Sequence, residues 1–420
     1  MNNSSQIHLG EMSSFDNPNG RKLCSLCGLC MVKEWSAKEG IQGCVFTLGW
    51  LGEQETRVFG RERSHDDCDE MLFGISKERF VARMQNPIPS GQFTGIITSI
   101  AKKAFETGLV EAVVTLHRSK EDYFLPEPVL ARSTEEILAS GGSKPVLAST
   151  LASLEKAYKQ GIKRLLVIGA SCHVQNLREF KSRFPYLKDM DIYVVGIPCT
   201  DNVHPKNFRY ILSKISRSHE TVRHYEFMQD FTVHLRHVDG SFERVPFFCL
   251  PKELSRSDLL AACCRSCFDY MNSLADITVG YMAAPLDVER MYQWVIVRTN
   301  KGNELYKLIA DELEIFPETS EGDRKSAVQN YAQQILDQLK QEGEVENGSE
   351  VSMSLEEGMQ LAEYLYSVGP RGLEWARYAI ETHLIRNYYF VKSNYPELLT
   401  TLVPKTVYHV LEEYNLVDGS

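Results

Sequence analysis

The chain lacks long hydrophobic runs, since no apolar stretch approaches the ~18 residues that a membrane-spanning helix needs. Its first residues, MNNSSQIHLGEMSSFDN, are polar. They have neither the apolar core of a secretory signal nor the arginine-rich, acid-poor character of a plastid transit peptide. We therefore expect a protein without a membrane span that works in the cytoplasm, or in the plastid stroma if the chain is a processed form.

Basic residues are also scarce relative to acidic ones. The 46 Lys and Arg are outnumbered by 56 Asp and Glu, which gives a net charge of −10. Proteins that bind double-stranded nucleic acid present clustered Lys and Arg, so the composition argues against that class. A local basic patch that docks an acidic protein stays possible. A length of 420 residues favours two or more domains.

Cysteine, in contrast, is plentiful, with 11 residues in a chain for which we expect a reducing compartment. Three of them form the run Cys24-Ser-Leu-Cys27-Gly-Leu-Cys30. This C-x2-C-x2-C spacing is typical of the local part of a 4Fe–4S site, which needs four soft thiolate ligands. A zinc knuckle is the alternative, although it usually combines two separated C-x2-C pairs. We predict Cys44 as the fourth ligand, with Cys68 as its substitute.

A second group of cysteines follows from the predicted strands. The apolar runs Arg164–Gly169 and Asp191–Gly196 are predicted to be buried parallel strands, and each leads into Gly-x-x-Cys. Because ligands of open α/β sheets lie beyond the carboxyl ends of the strands, both cysteines should meet at one edge. Together with a later C-x2-C pair they make a second set of four, namely Cys172, Cys199, Cys264 and Cys267, with Cys263 left over.

A Ser/Gly/Thr-rich loop around residues 87–95 precedes the predicted helix Ile96–Thr107 and the predicted strand Val110–Thr115. Free N–H groups at such a helix start can bind an anion. An ordinary helix cap is the alternative.

The remaining pattern predicts a mixed α/β fold: an open α/β core with an N-terminal iron–sulfur segment and a C-terminal helical extension. Alternating residues around Asp239-Gly240 predict a β-hairpin, and we predict a helix over Glu304–Leu313. The expected divisions are an N-terminal iron–sulfur segment (1–70), an α/β domain with the Ser/Gly/Thr-rich loop (71–220), to which the family resemblance described below assigns the flavin, a second domain with the hairpin and the C-x2-C pair (221–316), an acidic linker (317–355) and a helical extension (356–420).

Several motifs, taken in this order, resemble the beta-subunit family of deazaflavin-coenzyme hydrogenases and dehydrogenases. Within it, the likeness is to the branch that contains 7-hydroxymethyl chlorophyll a reductase and the ferredoxin-dependent 3,8-divinyl chlorophyllide reductase. The motifs extend from about residue 22 to residue 392 and include CSLCGLC, PSGQFTGIITSIA, GASCHVQNLR, GIPCTDN, CRSCFDYMNSLADITVGYM and GPRGLEWARYAIETHLIRNYYFV.

The resemblance implies a reductase with FAD and two 4Fe–4S clusters that takes electrons from reduced ferredoxin and acts on a chlorophyll-type tetrapyrrole. It supports eight of the cysteines as cluster ligands, namely Cys24, Cys27, Cys30, Cys44, Cys172, Cys199, Cys264 and Cys267. The family's flavin loop maps onto Ser90, Gly91, Gln92, Thr94 and Thr98, with Ser143 and Lys144 near the isoalloxazine or the phosphates.

Reduction of a tetrapyrrole also needs a proton donor near the substrate. Spacing does not choose among the candidates Asp230, His224, Tyr270 and His383. Residues 31–70 depart from the pattern of the branch, which bears on the substrate more than on the fold.

Two other functions stay open from the sequence. One is an electron-transfer subunit that reduces a deazaflavin coenzyme or a partner oxidoreductase. The other is a non-catalytic structural or sensor protein that binds zinc or a cluster. A homo-oligomer is possible in each case.

Overall fold

A computed structural model describes residues 23–29, 44, 51–183, 185–251, 259–341 and 353–416 of the chain. The predicted ligand Cys30 lies outside the described residues. The strands are β1 Glu78–Met84, β2 Ala112–Arg118, β3 Pro126–Ala131, β4 Arg164–Ala170, β5 Asp191–Ile197, β6 Val222–Phe227, β7 Thr232–His237, β8 Phe242–Pro246, β9 Ile277–Gly280, β10 Gln293–Val297, β11 Leu313–Phe316, β12 Ser320–Glu321 and β13 Arg371–Gly372.

The helices pack on the sheets and also form a layer near the carboxyl end of the described chain. They are α1 Leu51–Phe59, α2 Cys68–Phe73, α3 Ile96–Glu106, α4 Thr134–Ala139, α5 Ser153–Lys159, α6 Ser171–Arg183, α7 Pro185–Lys188, α8 Pro205–Ile215, α9 Asn300–Lys307, α10 Arg324–Gln341, α11 Leu355–Val368, α12 Leu373–Asn394, α13 Leu399–Leu402 and α14 Lys405–Glu413.

Among the described residues, one large sheet has eight strands in the order β11-β1-β10-β9-β5-β4-β2-β3. The central strands β2, β4, β5 and β9 run parallel, while the strands on both sides of them join antiparallel. A smaller antiparallel sheet contains β6, β7 and β8. The mixed α/β fold predicted from the sequence is therefore confirmed.

Local patterns predicted several elements correctly and misplaced one. The two buried parallel strands are β4 and β5, and the Asp239-Gly240 turn joins β7 to β8, with Gly240 at a φ of 84°. The helix predicted over Glu304–Leu313 was misplaced. Helix α9 begins after Thr299, whose hydroxyl caps it by accepting the Gly302 N–H at 3.1 Å. Leu313 instead begins β11, which pairs with β1.

The C-terminal helices belong to the core of the protein. Helix α10 packs on α12, and its Val328 and Ala332 are buried in the same hydrophobic cluster as Trp294 and Ile385. These two apolar positions are one helical turn apart, which is enough to bury one face of an otherwise polar helix. The acidic composition of residues 317–355 indicated a linker, so the packing of α10 was not predicted from the sequence.

A buried ion pair joins three of these helices. The Arg324 Nε atom on α10 lies 3.1 Å from both carboxylate oxygens of Glu381 on α12, and the Tyr414 hydroxyl after α14 donates to the same carboxylate at 2.7 Å. The Glu381 side chain is 0% exposed. Loss of the arginine would leave a buried charge without its partner.

Arg324→Met should therefore lower the free energy of unfolding by about 3–5 kcal/mol, measured by urea denaturation near neutral pH. Lys325→Met is the matched control, since that side chain is 64% exposed where it pairs with Glu413, and its loss should cost less than about 1 kcal/mol. Equal losses in the two variants would contradict this account of the helical layer.

Candidate functional site

Five cysteines line one small cavity beyond the carboxyl ends of β4 and β5. Because parallel strands end at the same edge of a sheet, the residues that follow β4 and β5 are neighbours. The C-x2-C loop that precedes β9 closes the cavity. We call this group the cysteine wall; its members are Cys172, Cys199, Cys263, Cys264 and Cys267.

Hydrogen bonds fix the two strand ends. The side-chain amide of Asn272 donates to the carbonyl oxygens of Gly169 at 2.8 Å and Ile197 at 3.2 Å. The Cys199 N–H donates to the Tyr270 carbonyl at 2.9 Å. The loop before β9 is thereby tied to the end of each strand that carries a cysteine.

Helix α12 holds the C-x2-C loop from the other side. The Asn387 amide donates to the carbonyl oxygens of Cys264 at 2.9 Å and Cys267 at 2.6 Å. The His383 Nε2 atom donates to the Cys267 carbonyl at 2.9 Å. Burial, together with the charge of Arg386, lowers the pKa of His383 to about 4. His383 is therefore neutral near pH 7 and acts as a structural donor.

N–H groups point at the sulfur atoms of the cysteine wall. Asn202 donates from its backbone to Cys264 Sγ and from its side chain to Cys199 Sγ, both at 3.3 Å. Burial and neighbouring cysteines raise the pKa of the Cys172 thiol to about 12 and that of the Cys199 thiol well above its usual value. Cysteine sulfur atoms that accept hydrogen bonds from N–H groups are suitable ligands for an iron–sulfur cluster.

Part of the N-terminal run lies near the same region. The pKa of Cys172 is raised partly by Cys44, and that of Cys263 partly by Cys24, so these side chains are within electrostatic reach. Asn176 on α6 approaches Cys27 Sγ at 3.6 Å. The described residues contain no group of three or more His, Cys, Asp or Glu side chains arranged to hold a single metal ion.

Cys68, the substitute ligand, lies in a different environment from the cysteine wall. Arg324 approaches its Sγ atom at 3.6 Å, and burial raises the pKa of this thiol. The charges that act on Cys68 come from arginines and carboxylates of the helical layer rather than from other cysteines. Cys44 is thus the better placed of the two candidates.

The predicted flavin residues lie on two loops joined by one carboxyl group. Gln92 Nε2 and Ser143 Oγ both donate to Glu226 Oε1, at 3.3 and 3.4 Å. Close packing continues at Gly91, where a Cβ would lie 2.5 Å from the Gly95 Cα atom. Burial raises the pKa of Glu226 to about 7, although the Gln92 hydrogen bond opposes the shift.

The first of these loops and Glu226 border a cleft of about 270 Å³. Gly91 lines it, whereas Thr94 and Thr98 are buried. The Thr94 hydroxyl accepts the Met84 N–H at 3.1 Å, and the Ile96 N–H at the start of α3 donates to Gln293. That N–H is therefore occupied, so the anion site expected at this helix start loses one of its donors.

A basic cavity adjoins the cleft and is lined by Ser143, Lys144, Arg118 and Arg223. Lys144 donates to three carbonyl oxygens at 2.7–3.1 Å, and burial lowers its pKa to about 7. The Arg118 Nε and Nη1 atoms are buried and have no hydrogen-bond partner among the described residues. Orphaned guanidinium donors beside a lysine fit the phosphates of a dinucleotide.

The four proton-donor candidates divide between two places. His224 lines the cleft, and Asp230 bonds to His234, which also lines it. Tyr270 and His383 lie behind the cysteine wall, with their rings 5.0 Å apart. Burial raises the pKa of Tyr270 well above its usual value. Only the first two candidates are therefore near the cleft.

Sequence reasoning missed several residues of the cleft and of the basic cavity. Arg118, Glu226, His234 and Tyr281 have no local motif, and they meet through strand pairing and loop packing. Tyr281 packs against Phe93, with ring centroids 4.9 Å apart. Tyr281 also lines the cleft, and its pKa is raised first by burial and then by Glu226 and Tyr270. The period-2 pattern of β6 and β7 was the available signal for Glu226 and His234.

Comparison with known proteins places this arrangement in a family. The profile of the coenzyme F420 hydrogenase/dehydrogenase beta subunit N-terminus matches residues 79–155, and that of the C terminus matches residues 162–321. Chloroplastic 7-hydroxymethyl chlorophyll a reductase of Oryza sativa is 38% identical over 378 residues, which cover 88% of this chain and 77% of that protein. The chain belongs to the coenzyme F420 hydrogenase/dehydrogenase beta subunit family. The resemblance found in the sequence is confirmed.

Two further proteins are similar to this chain. An uncharacterized protein of Nostoc sp. is 42% identical over 411 residues, 96% of each chain. A chain of the F420-reducing [NiFe] hydrogenase complex from Methanosarcina barkeri aligns with a TM-score of 0.58 and 20% identity, over 79% of this chain and 97% of that one. At this identity the match shows the fold alone. Family members whose names state an activity include a chlorophyll reductase and hydrogenase subunits, which makes oxidoreductase the class of this chain.

None of the helices in the described segments is both long enough and apolar enough to cross a bilayer.

The raised pKa of Glu226 predicts a pH-dependent stability. Its ordinary pKa is 4.5 and its folded value is about 7, so the folded state binds the proton more tightly and loses stability as the pH rises through this window. Glu226→Gln has no proton to lose. Between about pH 5 and pH 8, the free energy of unfolding of Glu226→Gln should rise by about 2–3 kcal/mol relative to that of wild type. A difference that does not change with pH would contradict the assignment.

Proposed function

We propose that the chain is a ferredoxin-dependent iron–sulfur flavoprotein reductase of a chlorophyll-type tetrapyrrole, holding FAD and two 4Fe–4S clusters. One observation carries the proposal: five cysteines line one cavity, and a basic cavity beside it shares Val146 with that cavity and His224 with the cleft. The identity of 38% to 7-hydroxymethyl chlorophyll a reductase supports the substrate class.

The cysteines would hold the clusters in two sets. Cys172, Cys199, Cys264 and Cys267 form one set, and the N-terminal cysteines with Cys44 form the other. Asn202 would donate to two ligand sulfurs, and such hydrogen bonds tune the potential of iron–sulfur sites. When bound, the clusters supply transfer of single electrons.

The two loops bridged by Glu226 would hold the flavin. Arg118, Lys144 and Ser143 line the basic cavity and would face its phosphates. Gly91, which lines the cleft, and Gln92, which donates to Glu226, would face its ring system. When bound, FAD supplies the conversion of one-electron input into two-electron reduction. The residues of this chain orient the cofactor, exclude water from the cleft and deliver a proton.

Most of the residues that line the cleft are apolar, which suits an apolar substrate. Ile88, Phe93, Met228, Pro285 and Met291 would present apolar surface to a flat macrocycle. Arg236 and His224 are polar groups on the same wall, where they can bind an oxygen substituent.

A second, larger cleft of about 690 Å³ is a proposed docking place for ferredoxin. Its lining has seven Lys and Arg and one Asp, in a chain whose net charge is −10. On its floor, Gln54 donates to the Gln175 carbonyl at 3.1 Å, and Gln175 donates to Asp269 at 3.0 Å, two residues after Cys267. An acidic electron carrier bound here would be close to the cysteine wall.

Reversal of one exposed charge tests the docking proposal. Lys188→Glu should weaken ferredoxin binding several-fold at low ionic strength, and the difference should fade at high salt because exposed charges are screened. Lys120→Glu, outside this cleft, is the matched control and should bind as wild type. Equal weakening by both variants, or no effect of either, would place docking elsewhere.

Turnover tests the proposed function as a whole. Anaerobic protein with reduced ferredoxin and a panel of tetrapyrroles (7-hydroxymethyl chlorophyll, divinyl chlorophyllide and bilins) should yield a product two electrons more reduced, identified by mass. Cys264→Ser should abolish turnover. Cys249→Ser should retain it, because Cys249 lies beside α11 and bonds to the Met353 and Ser354 carbonyls.

A different result would point to another family activity. Turnover with a deazaflavin coenzyme and none with any tetrapyrrole would contradict the proposal in favour of the hydrogenase-type activity named for other family members. Full turnover of Cys264→Ser would contradict the role of the cysteine wall.

A further inference from the structure

Four ionisable side chains share one face of the β6–β7 ribbon and line the cleft: His224, Glu226, His234 and Arg236. Glu226 lies opposite His234 in the antiparallel register, and His224 lies opposite Arg236. Because alternate residues of a strand point to the same side, both pairs face the cleft together.

One of the four is held by a buried carboxylate. His234 Nε2 lies 2.8 Å from Asp230 Oδ2, and both side chains are buried. The other carboxylate oxygen, Oδ1, accepts the Thr232 N–H at 3.1 Å and the Thr232 hydroxyl at 2.7 Å. Burial opposes ionisation, but the His234 and Thr232 hydrogen bonds outweigh it and lower the pKa of Asp230. Asp230 therefore stays ionised and accepts the Nε2 proton.

The second ring nitrogen of His234 is the one left for a ligand. Among the described residues, Nδ1 has no hydrogen-bond partner, and this atom is not fully buried. His234 lines the cleft, so a molecule in the cleft can reach Nδ1. A carboxylate that fixes one imidazole nitrogen and leaves the other to the substrate is a recurrent catalytic arrangement.

We propose that His234 is the proton donor of the reductase, giving the Nδ1 proton to a substrate in the cleft, and that Asp230 is its positioning residue. This inference rests on the proposed function and specifies the source of the proton that the reaction consumes.

The other groups in the cleft are less suited to this task. Burial and the surrounding cations Arg118, Arg236 and Lys144 lower the pKa of His224 to about 4, so this side chain is neutral near pH 7. Glu226 already accepts two hydrogen bonds that join the flavin loops. Asp230 is ionised and has no proton to give.

The environment of His234 contains both signs of charge. Asp230 bonds to it, Glu226 faces it from β6, and Arg244 faces it from β8, 3.9 Å from the Asp230 carboxylate. The Phe242 ring covers one edge at a centroid distance of 5.0 Å. The other titratable or charged groups of this cleft are His224, Arg236, Tyr281, Asp287 and Tyr292.

The step balances for a hydroxymethyl substituent. The C–O bond breaks and a C–H bond forms, which consumes two electrons and two protons and releases water. Both electrons come from reduced ferredoxin, the donor of the proposed function. The His234 proton goes to the leaving oxygen, and the second proton enters the new C–H bond with the electron pair. Neutral His234 then recovers its proton from solvent.

The experiment compares kcat of His234→Ala with wild type in the ferredoxin assay. Loss of a general acid should lower kcat by about 10²- to 10⁴-fold, and added imidazole should restore part of the rate. Iron, FAD and the rate of flavin reduction by ferredoxin without substrate should equal those of wild type. His237→Gln is the matched control, because His237 is buried on the same strand but bonds to Thr221 instead of lining the cleft.

Asp230 is tested through a double-mutant cycle. Asp230→Asn should lower kcat by about 10-fold or more in the wild-type background. It should have no further effect in His234→Ala, because a positioning residue acts through the group that it holds. A merely structural Asp230 would slow both backgrounds equally.

The outcomes separate this inference from the proposed function. If wild type reduces no tetrapyrrole, the proposed function fails. If wild type turns over and His234→Ala keeps its kcat, or loses FAD and is not rescued by imidazole, His234 is not the donor. Loss of turnover in Glu226→Gln with full activity of His234→Ala would assign the proton to Glu226 and overturn the inference.

Discussion

The arrangement of the protein depends on one buried side chain, Asn272. Its amide donates to the carbonyl groups of Gly169 and Ile197, near the ends of β4 and β5, and the cysteines that follow these strands are therefore held in place relative to each other. Gly196 is required for this contact, because a Cβ at that position would lie 2.7 Å from the Asn272 side-chain carbon. Asn272 adopts a φ of 53°, which asparagine tolerates better than most residues. The C-x2-C loop reaches the sheet through this residue, so the cysteine wall exists because two parallel strands end together and one amide binds both.

The cleft is organised by a second kind of constraint, the register of the small sheet. Pairing of β6 with β7 puts Glu226 beside His234. Glu226 also accepts hydrogen bonds from Gln92 and Ser143, which lie on two loops more than 80 residues away from it in the sequence. The small sheet thus supplies one wall of the cleft, and loops next to strands of the large sheet supply the other wall and the cysteine wall. The basic cavity adjoins both sites, since it shares His224 with the cleft and Val146 with the cavity of the cysteine wall.

The sequence predicted those features that follow from local pattern. Strand ends at Cys172 and Cys199 were predictable because parallel strands share a direction, and the Asp239-Gly240 hairpin because its turn requires a positive φ. Contacts between distant segments were not predictable. Glu226, Arg118 and His234 carry no local motif, and their positions depend on strand register and loop packing. The contact of Cys68 with Arg324 depends on where α10 packs. Cys263, which the sequence left without a role, lines the cysteine wall because its loop turns within three residues.

The central claim is that the cysteines of this chain hold two iron–sulfur clusters next to a flavin. Its most direct test is the measurement of iron, acid-labile sulfide and FAD in anaerobically purified full-length protein. The account predicts about eight irons, about eight sulfides and about one FAD per chain, according to the ligand count of two cubes. Protein that contains zinc alone, or iron without sulfide, would contradict it.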